Sequence, residues 1–261
     1  MKAIILAGGR GTRLQEETEF KPKPMVEIGG KPIIWHIMKS FSHFGVSDFI
    51  ICLGYKGQMV IDYFLKYGHV IKNDASDIDA KNKMIEISFK SGDDLWNVKL
   101  VDTGLETLTA RRLYYIRPHL DNEVNIVTYG DGLANINISE LIAFHQNHKN
   151  PATVSIAQPP GRFGVVRTDY QNRVTNFSEK PRYTDWVNCG YFVFNTEIFT
   201  YFKNDEYLEV GPMLKLTNEK KLMAFKHRGY WAAMDTYREY LELNEIWNSG
   251  KVPWKVWQDD N

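Results

Sequence analysis

A glycine-rich turn directly after the first apolar segment is the feature that most constrains this chain. Residues 2–6 are mostly apolar and include β-branched side chains, which predicts a buried strand. Residues 7–11 contain three glycines, so the backbone can turn tightly and approach a ligand with its N–H groups free. Arg13 and Lys23 place cations on either side of this turn. A glycine-lined loop flanked by cations suits a polyphosphate, which we take as the working hypothesis.

This loop matches neither of two common nucleotide-binding motifs. A dinucleotide fingerprint requires a third glycine where Leu14 stands, and an acidic residue after the second strand, where residues 53–55 carry none. A G-x-x-x-x-G-K-[ST] phosphate loop also fails, because no Gly-Lys-Ser/Thr sequence occurs in the region. The remaining alternative is a strand–helix turn that binds nothing. The cations at Arg13 and Lys23 argue against it.

The order of periodic segments predicts an α/β fold. After the first strand, residues 31–41 read as a helix, 46–54 as a strand and 57–67 as a helix, which implies a parallel sheet with right-handed crossovers. Strands dominate after residue 158. We predict one Rossmann-like domain over residues 1–261, with a mostly parallel sheet flanked by helices. Its nucleotide-binding half would be residues 1–158, and its smaller, β-rich substrate-binding half residues 159–261.

Composition narrows the function classes. The 261 residues carry 32 Lys and Arg against 32 Asp and Glu, which argues against nonspecific attraction to nucleic acid or membranes. No apolar run approaches the length needed to span a bilayer, and the N-terminal apolar stretch is too short for a signal peptide. Cys52 and Cys189 lie in apolar segments without metal-binding spacing, so we expect buried thiols and a cytoplasmic protein.

Two aspartates are candidate metal ligands. Asp131 lies between Gly130 and Gly132 at the end of a predicted strand, and Asp235 follows a distant apolar stretch. Mg²⁺ takes one or two carboxylates and completes its shell with water and phosphate oxygens, so both aspartates could bind one ion. The alternatives are a turn residue for Asp131 and a helix N-cap for Asp235, and Asp235 could both cap the helix and bind metal.

A second candidate site follows the strand predicted for residues 173–178. Lys180, held by the following proline, suits a phosphate, and the neighbouring Glu179 can accept hydrogen bonds from sugar hydroxyls. Adjacent Lys and Glu side chains are also common on solvated surfaces, which is the alternative. Asn188, in an apolar strand, would need polar partners if buried, and hydroxyl groups of a ligand could provide them.

The glycine loop with the Lys-Pro-Lys-Pro-Met segment at residues 21–25 resembles the signature of sugar-1-phosphate nucleotidylyltransferases. The resemblance covers nearly the whole chain and is tightest to the members of that family that act on CTP. It is carried by residues 21–32, 49–57, 128–132, 159–164, 234–236 and the tryptophan-rich 250–257. It implies transfer from CTP to glucose 1-phosphate, giving CDP-glucose and pyrophosphate with Mg²⁺. It also implies a role in deoxysugar and surface-polysaccharide synthesis and a homo-oligomer, without nucleic-acid or membrane partners.

The resemblance also implies a role for each matching residue. Arg13 and Lys23 would act on the triphosphate and count as catalytic, Asp131 and Asp235 would bind Mg²⁺, and Lys180, Glu179 and Asn188 would bind the sugar phosphate. The residues expected to contact the nucleotide are Leu6, Ala7, Gly8, Gly9, Gly11, Thr12, Arg13, Lys23, Thr107, Arg112 and Gly130.

Several positions depart from the usual pattern of the family near the expected base and sugar contacts. These positions are Ala110, Arg111, Cys189, Gly211, Ala232 and Ala233. They leave the loop cations and both aspartates intact, so they bear on the substrate rather than the reaction. A different nucleotide or phosphorylated acceptor therefore stays open, as does a protein that binds a sugar nucleotide without turning it over.

Overall fold

The computed structural model describes residues 1–11, 14, 20–73, 84–120, 124–161, 163–202 and 204–258. The strands are β1 (Lys2–Leu6), β2 (Glu27–Ile28), β3 (Lys31–Pro32), β4 (Asp48–Leu53), β5 (Gly68–Asn73), β6 (Met84–Ser91), β7 (Asp94–Asp102), β8 (Val124–Tyr129), β9 (Gly132–Ala134), β10 (Ala152–Ala157), β11 (Val165–Thr168), β12 (Val174–Ser178), β13 (Val187–Asn195), β14 (Leu222–Lys226) and β15 (Trp231–Ala233). The α-helices are α1 (Ile33–His43), α2 (Gly57–Tyr67), α3 (Thr109–Tyr115), α4 (Ile138–His148), α5 (Pro212–Asn218) and α6 (Tyr237–Asn248). Within these residues, no helix combines the length and apolar character that crossing a bilayer requires.

One nine-stranded sheet organises the described chain, in the order β14-β10-β13-β8-β1-β4-β7-β6-β5. The centre is parallel, because β1 pairs in parallel with both β4 and β8, and β4 with β7. Among the strands of this sheet, β6 and β13 run opposite to β1. The predicted α/β fold with a mostly parallel sheet is confirmed. The later strands β13 and β14 join this sheet, whereas β11 and β12 form a separate two-stranded ribbon.

Helices cover both faces of the sheet, which explains why its central strands are apolar throughout. Successive side chains of a strand point to opposite faces, so a strand buried on both sides needs no polar alternation. Ile5 and Ile51 pack in a core with residues of α1, α2 and α4, while Ile4 and Ile50 pack in a second core with α3 and α5. The predicted buried thiols are confirmed at Cys52 and Cys189, and burial raises both thiol pKa values to about 12.

The ends of β1, β4, β7 and β8 meet at one edge of the sheet. Parallel strands present their carboxyl ends on the same side, and the loops after them form a crevice where ligands bind in α/β proteins. β13 begins at this edge because it runs antiparallel to β8, with Tyr191 paired to Thr128. The separate antiparallel pair of β9 and β15 brings residues 231–233 beside the segment that follows β8. The topology therefore gathers distant segments around one crevice.

Candidate active site

The glycine loop after β1 is closely packed against its neighbours. Ala7 N–H donates to the Cys52 carbonyl at 3.0 Å, and Tyr55 N–H donates to the Gly8 carbonyl at 3.1 Å. A Cβ atom on Gly8 would lie 2.3 Å from the guanidinium carbon of Arg112, a distance that packed side chains do not tolerate. Gly8 is therefore required by close approach to Arg112. By contrast, a Cβ on Gly9 would meet nothing within 4 Å.

Arg112 connects the loops that follow three central strands. Its side chain is 3% exposed, and it donates to uncharged oxygens. These acceptors are the carbonyls of Gly8 at 3.1 Å, Leu53 at 2.8 Å, Gly104 at 2.8 Å and Leu105 at 3.3 Å, and the Thr103 hydroxyl at 2.7 Å. Burial lowers the pKa of Arg112, although surrounding acidic groups oppose that effect. A buried guanidinium bonded in this way fixes the relative positions of the loops.

Lys23 and two aspartates form a charged cluster at the floor of the crevice. The Lys23 ammonium donates to Asp131 at 2.8 Å and to Asp235 at 2.6 Å. Burial lowers the pKa of Lys23, but the charges and hydrogen bonds of the two carboxylates outweigh it and raise that pKa above its ordinary value. The ammonium is therefore charged and bridges two carboxylates that lie 108 and 212 residues away in sequence.

Three different local structures hold this cluster. Lys23 begins a 3-10 helix, Lys23–Met25, between two prolines that restrict its backbone. Asp131 lies in the turn after β8, where Gly130 N–H donates to the Leu6 carbonyl at 3.1 Å. Asp235 follows β15, and Met234 N–H donates to the Asp131 carbonyl at 2.9 Å, which brings the two aspartates together.

The N-cap of α6 is Thr236, so the alternative that Asp235 caps this helix is wrong. The Thr236 hydroxyl accepts from Glu239 N–H, and the Glu239 side chain accepts from Thr236 N–H, which forms a capping box. Because Thr236 takes the capping position, the Asp235 carboxylate one residue earlier is directed to Lys23.

A cleft of about 420 Å³ opens over the glycine loop. Its walls are the loop itself, the segment between β7 and α3, and the turn after β8. The lining residues are Leu6, Ala7, Gly8, Gly9, Arg10, Gly11, Lys23, Pro24, Leu105, Glu106, Thr107, Leu108, Thr109, Arg112, Tyr129, Gly130, Asp131 and Tyr207. Arg10 and Glu106 form an exposed ion pair between two of these walls. We call this space the loop cleft.

A second cavity of about 360 Å³ adjoins the loop cleft. Thr109, Tyr129, Asp131 and Tyr207 line both spaces. Its further lining residues are Thr128, Gly132, Asn188, Cys189, Gly190, Glu209, Trp231, Ala233 and Asp235. We call this space the adjoining cavity. The Lys23 cluster stands where the two meet, because Lys23 lines the first, Asp235 the second and Asp131 both.

The structure brings most of the predicted site residues to these two spaces. In the loop cleft lie Leu6, Ala7, Gly8, Gly9, Gly11, Lys23, Thr107, Arg112, Gly130 and Asp131, and in the adjoining cavity Asn188, Asp131 and Asp235. Thr12 and Arg13 lie outside the described residues. Glu179 and Lys180 follow β12, are exposed and line neither space in the described structure.

Among the lining residues that were missing from the predictions are three at the boundary or the wall of the adjoining cavity. Tyr129 and Tyr207 line both spaces, and Glu209 lines the adjoining cavity. The position of Tyr129, directly before Gly130 and Asp131 at a strand end, was a usable signal. Tyr207 and Glu209 lie in an irregular segment without periodicity, so no sequence pattern marks them.

The departures from the family pattern differ in their distance from the site. Cys189 and Ala233 line the adjoining cavity. Ala110 is buried in the core, and Arg111 stacks its guanidinium on Tyr114 and Tyr115. In the described structure, Ala110, Arg111, Gly211 and Ala232 line neither space.

Known proteins resemble this chain over nearly its whole length. The family model described as nucleotidyl transferase matches residues 2–250. A glucose-1-phosphate cytidylyltransferase of Salmonella typhi is 46% identical over 262 residues, which is 99% of this chain and 100% of that protein. A probable glucose-1-phosphate cytidylyltransferase of Bacillus subtilis (strain 168) is 39% identical over 98% of this chain and 100% of its own length. The crystal structure of HddC from Yersinia pseudotuberculosis shares the fold, with a TM-score of 0.66 and 21% identity over 94% of this chain and 99% of that one.

Proposed function

The chain belongs to the nucleotidyl transferase family, and on that premise we propose that it transfers a cytidylyl group from CTP to glucose 1-phosphate. The products are CDP-glucose and pyrophosphate. The observation that carries this proposal is that two cavities meet at Lys23, Asp131 and Asp235. Two anionic substrates can come together only where positive charge is available, and the Lys23 ammonium supplies it there. The names of the two cytidylyltransferase relatives, similar over their full lengths, supply the substrates.

We assign CTP to the loop cleft and glucose 1-phosphate to the adjoining cavity. The glycine loop offers backbone N–H groups to phosphate oxygens, and Lys23 adds a positive charge at its floor. Thr107 and Gly130 line the same cleft and complete the nucleotide site together with Arg112. In this assignment the first half of the chain, residues 1–158, supplies most of the nucleotide site, and residues 159–261 supply most of the sugar site.

The carboxylates of Asp131 and Asp235 suit Mg²⁺. They already share one cation, the Lys23 ammonium, so they converge on a single positive charge. Within the described residues, no group of three or more His, Cys, Asp or Glu side chains could hold a metal ion, so the remaining ligands would be water and phosphate oxygens, as Mg²⁺ prefers. When bound, Mg²⁺ supplies charge that stabilises the departing pyrophosphate.

The protein contributes alignment and charge rather than a catalytic base. A phosphate oxygen of glucose 1-phosphate is already nucleophilic near neutral pH and attacks the α-phosphorus of CTP as pyrophosphate leaves in line. The glycine loop fixes the triphosphate, and Lys23 neutralises charge that builds up in the transition state. Tyr129 lines both cavities, so in this assignment it would lie beside both substrates.

We also propose that Arg13 binds the triphosphate, and that Glu179 and Lys180 bind the sugar phosphate from the end of β12. Since Glu179 and Lys180 are exposed beyond the adjoining cavity, these contacts require the ribbon of β11 and β12 to approach the bound sugar. A Lys180→Ala variant tests this, because it should raise the KM for glucose 1-phosphate more than the KM for CTP.

The same ribbon supports the proposal of a homo-oligomer. It exposes large apolar side chains, including Val174 at 61% and Phe177 at 64%, and exposed apolar surface of this kind is typical of interaction sites. Light scattering after size-exclusion chromatography tests it, with a monomer as the result that would contradict it.

Pyrophosphate release in the presence of Mg²⁺ tests the proposed reaction. The assay crosses CTP, UTP, dTTP, ATP and GTP with a panel of sugar 1-phosphates. We expect the highest kcat/KM for CTP with glucose 1-phosphate. Activity with another pair would keep the reaction and change the substrates, and would direct attention to Cys189 and Ala233 in the adjoining cavity. No release from any pair, with nucleotide still bound, would overturn the proposal.

A further inference from the structure

The segment of residues 204–209, which we call the strap, contributes Tyr207 and Glu209 to the wall of the adjoining cavity and is held by hydrogen bonds near both of its ends. Leu208 is fully buried, and its N–H donates to the Thr109 hydroxyl at 2.8 Å. Asp205 accepts from Leu108 N–H at 2.8 Å. The strap is therefore tied to the start of α3. Glu209 directly follows Leu208, so its side chain is held at the cavity wall rather than on a free loop.

Glu209 is oriented by a phenol. The Tyr129 hydroxyl donates to Oε1 of Glu209, and Tyr129 itself packs edge-on against Phe192 at the end of the sheet. Burial, together with the charge of Glu209, raises the pKa of Tyr129, so the phenol stays protonated and remains a donor. One carboxylate oxygen is thus fixed by the protein. The other oxygen keeps its capacity to accept a hydrogen bond from a ligand.

The three carboxylates that line the adjoining cavity in the described structure differ in their hydrogen-bond partners. Asp131 and Asp235 both bond to Lys23, whereas Glu209 bonds to a neutral hydroxyl. Asn188 stands on the same wall, with its Oδ1 accepting from Gly190 N–H at 2.8 Å, so its NH₂ group is the part that can donate to a ligand. An acceptor and a donor on one cavity wall suit a ligand rich in hydroxyl groups, because each hydroxyl can donate and accept.

We propose that Glu209 accepts a hydrogen bond from a hydroxyl of the hexose and is a specificity-determining residue for the acceptor sugar. This inference rests on the proposed function, since it places the sugar in the adjoining cavity. A sugar that lacks this hydroxyl would leave a desolvated carboxylate without its partner, and sites built around such a hydrogen bond reject the deoxy analogue strongly. Glu209 therefore selects the sugar and leaves the nucleotide unaffected.

The test compares Glu209→Gln and Glu209→Ala with the wild type, using steady-state KM values for both substrates. We expect the KM for glucose 1-phosphate to rise about 10-fold in Glu209→Gln and about 100-fold in Glu209→Ala, the range for a hydrogen bond to a charged group, with the KM for CTP unchanged. Glu206→Gln is the matched control on the same strap, because Glu206 pairs with exposed Lys215 and lies outside both linings. It should leave both KM values as they are.

A series of 2-, 3-, 4- and 6-deoxyglucose 1-phosphates then separates recognition from a structural role. For one of these sugars, wild type and Glu209→Ala should have the same KM, because the hydroxyl that distinguishes them is absent. Tyr129→Phe, which removes the hydroxyl that orients Glu209, should raise the KM for the same sugars by a smaller factor. The inference is overturned if both KM values rise together, if every deoxysugar shows the full difference, or if Glu209→Ala behaves as the wild type. A wild type that releases no pyrophosphate from CTP and glucose 1-phosphate would instead reject the proposed function itself.

Discussion

Replacing Lys23 by methionine is expected to distinguish what the charged cluster contributes to the free energy of unfolding from what it contributes to turnover. Met keeps a four-atom apolar stem like that of lysine but lacks the terminal ammonium, which lies 2.8 Å from Asp131 and 2.6 Å from Asp235. In the wild type, Asp131 and Asp235 share the Lys23 ammonium. In the variant, the two carboxylates would repel each other with no ammonium between them. The variant should therefore unfold more easily in the absence of divalent metal.

The exposure of the three side chains sets the size of this effect. The side chains of Lys23, Asp131 and Asp235 are 11%, 27% and 20% exposed, so the cluster lies between a surface pair and a fully buried one. Breaking a buried pair costs about 3–5 kcal/mol, and exposed pairs contribute about 0–1 kcal/mol. We expect the free energy of unfolding of Lys23→Met to fall by about 2 kcal/mol in EDTA.

Mg²⁺ should reverse much of this loss in the variant. A ligand at about 100 times its Kd stabilises the folded state by about 2.7 kcal/mol, and in Lys23→Met the ion no longer competes with the ammonium for the carboxylates. The wild type should gain less from the same Mg²⁺ concentration. Turnover should nevertheless stay about a hundredfold lower in the variant, because the missing charge contact is worth ~3 kcal/mol in the transition state.

Urea unfolding followed by circular dichroism, with EDTA or Mg²⁺, measures these differences. Lys21→Met is the control, because Lys21 forms a more exposed pair with Glu27 at 3.5 Å and should change stability by less than about 0.5 kcal/mol. The reasoning is refuted if Lys23→Met is as stable as the wild type in EDTA, or if Mg²⁺ stabilises both proteins equally.

Three further predictions follow from packing and burial. Gly8→Ala should lower the thermal unfolding temperature and weaken CTP binding measured by calorimetry, because its Cβ would lie 2.3 Å from Arg112. Gly9→Ala has no such clash and should unfold like the wild type. Arg112→Lys should lose stability, since an ammonium has three donors and cannot replace the bonds of the guanidinium to three strand ends; chemical denaturation with an unchanged midpoint would contradict this. Burial lowers the pKa of His36 to about 4, so the unfolded state binds a proton that the folded state does not take up between pH 6.5 and 4. Stability should therefore fall as the pH falls through this window, by about 2 kcal/mol between pH 7 and pH 5 relative to His36→Gln, and urea titrations at the two pH values that show no difference would refute it.

The strand-end chemistry was predictable from the sequence because it depends on local pattern. An apolar strand followed by glycines, and an aspartate between two glycines after another strand, both indicate the ligand edge of a parallel sheet. The resemblance in residues 8–14 and 21–25 predicted the family, which the family model and the relatives confirm. The central strands and their helices were predictable for a similar reason, since the strands are short apolar runs and the helices carry apolar residues at helical spacing.

Contacts that depend on long-range pairing were not predictable from local pattern. Nothing near Lys23 indicates that its ammonium bridges Asp131 and Asp235, because β9 and β15 must pair before these residues meet. The strand β5 was missed because residues 68–73 mix polar and apolar side chains at an edge of the sheet. Glu209 was missed because the strap is fixed by hydrogen bonds to α3 and carries no periodicity of its own.

A ³¹P NMR spectrum of the protein with CTP, glucose 1-phosphate and Mg²⁺ tests the central claim most directly. The account predicts that the signals of CTP and glucose 1-phosphate decline together, while CDP-glucose and pyrophosphate grow in equal amounts. Formation of CMP and pyrophosphate without a sugar nucleotide, or unchanged substrate signals while another sugar phosphate is consumed, would contradict it.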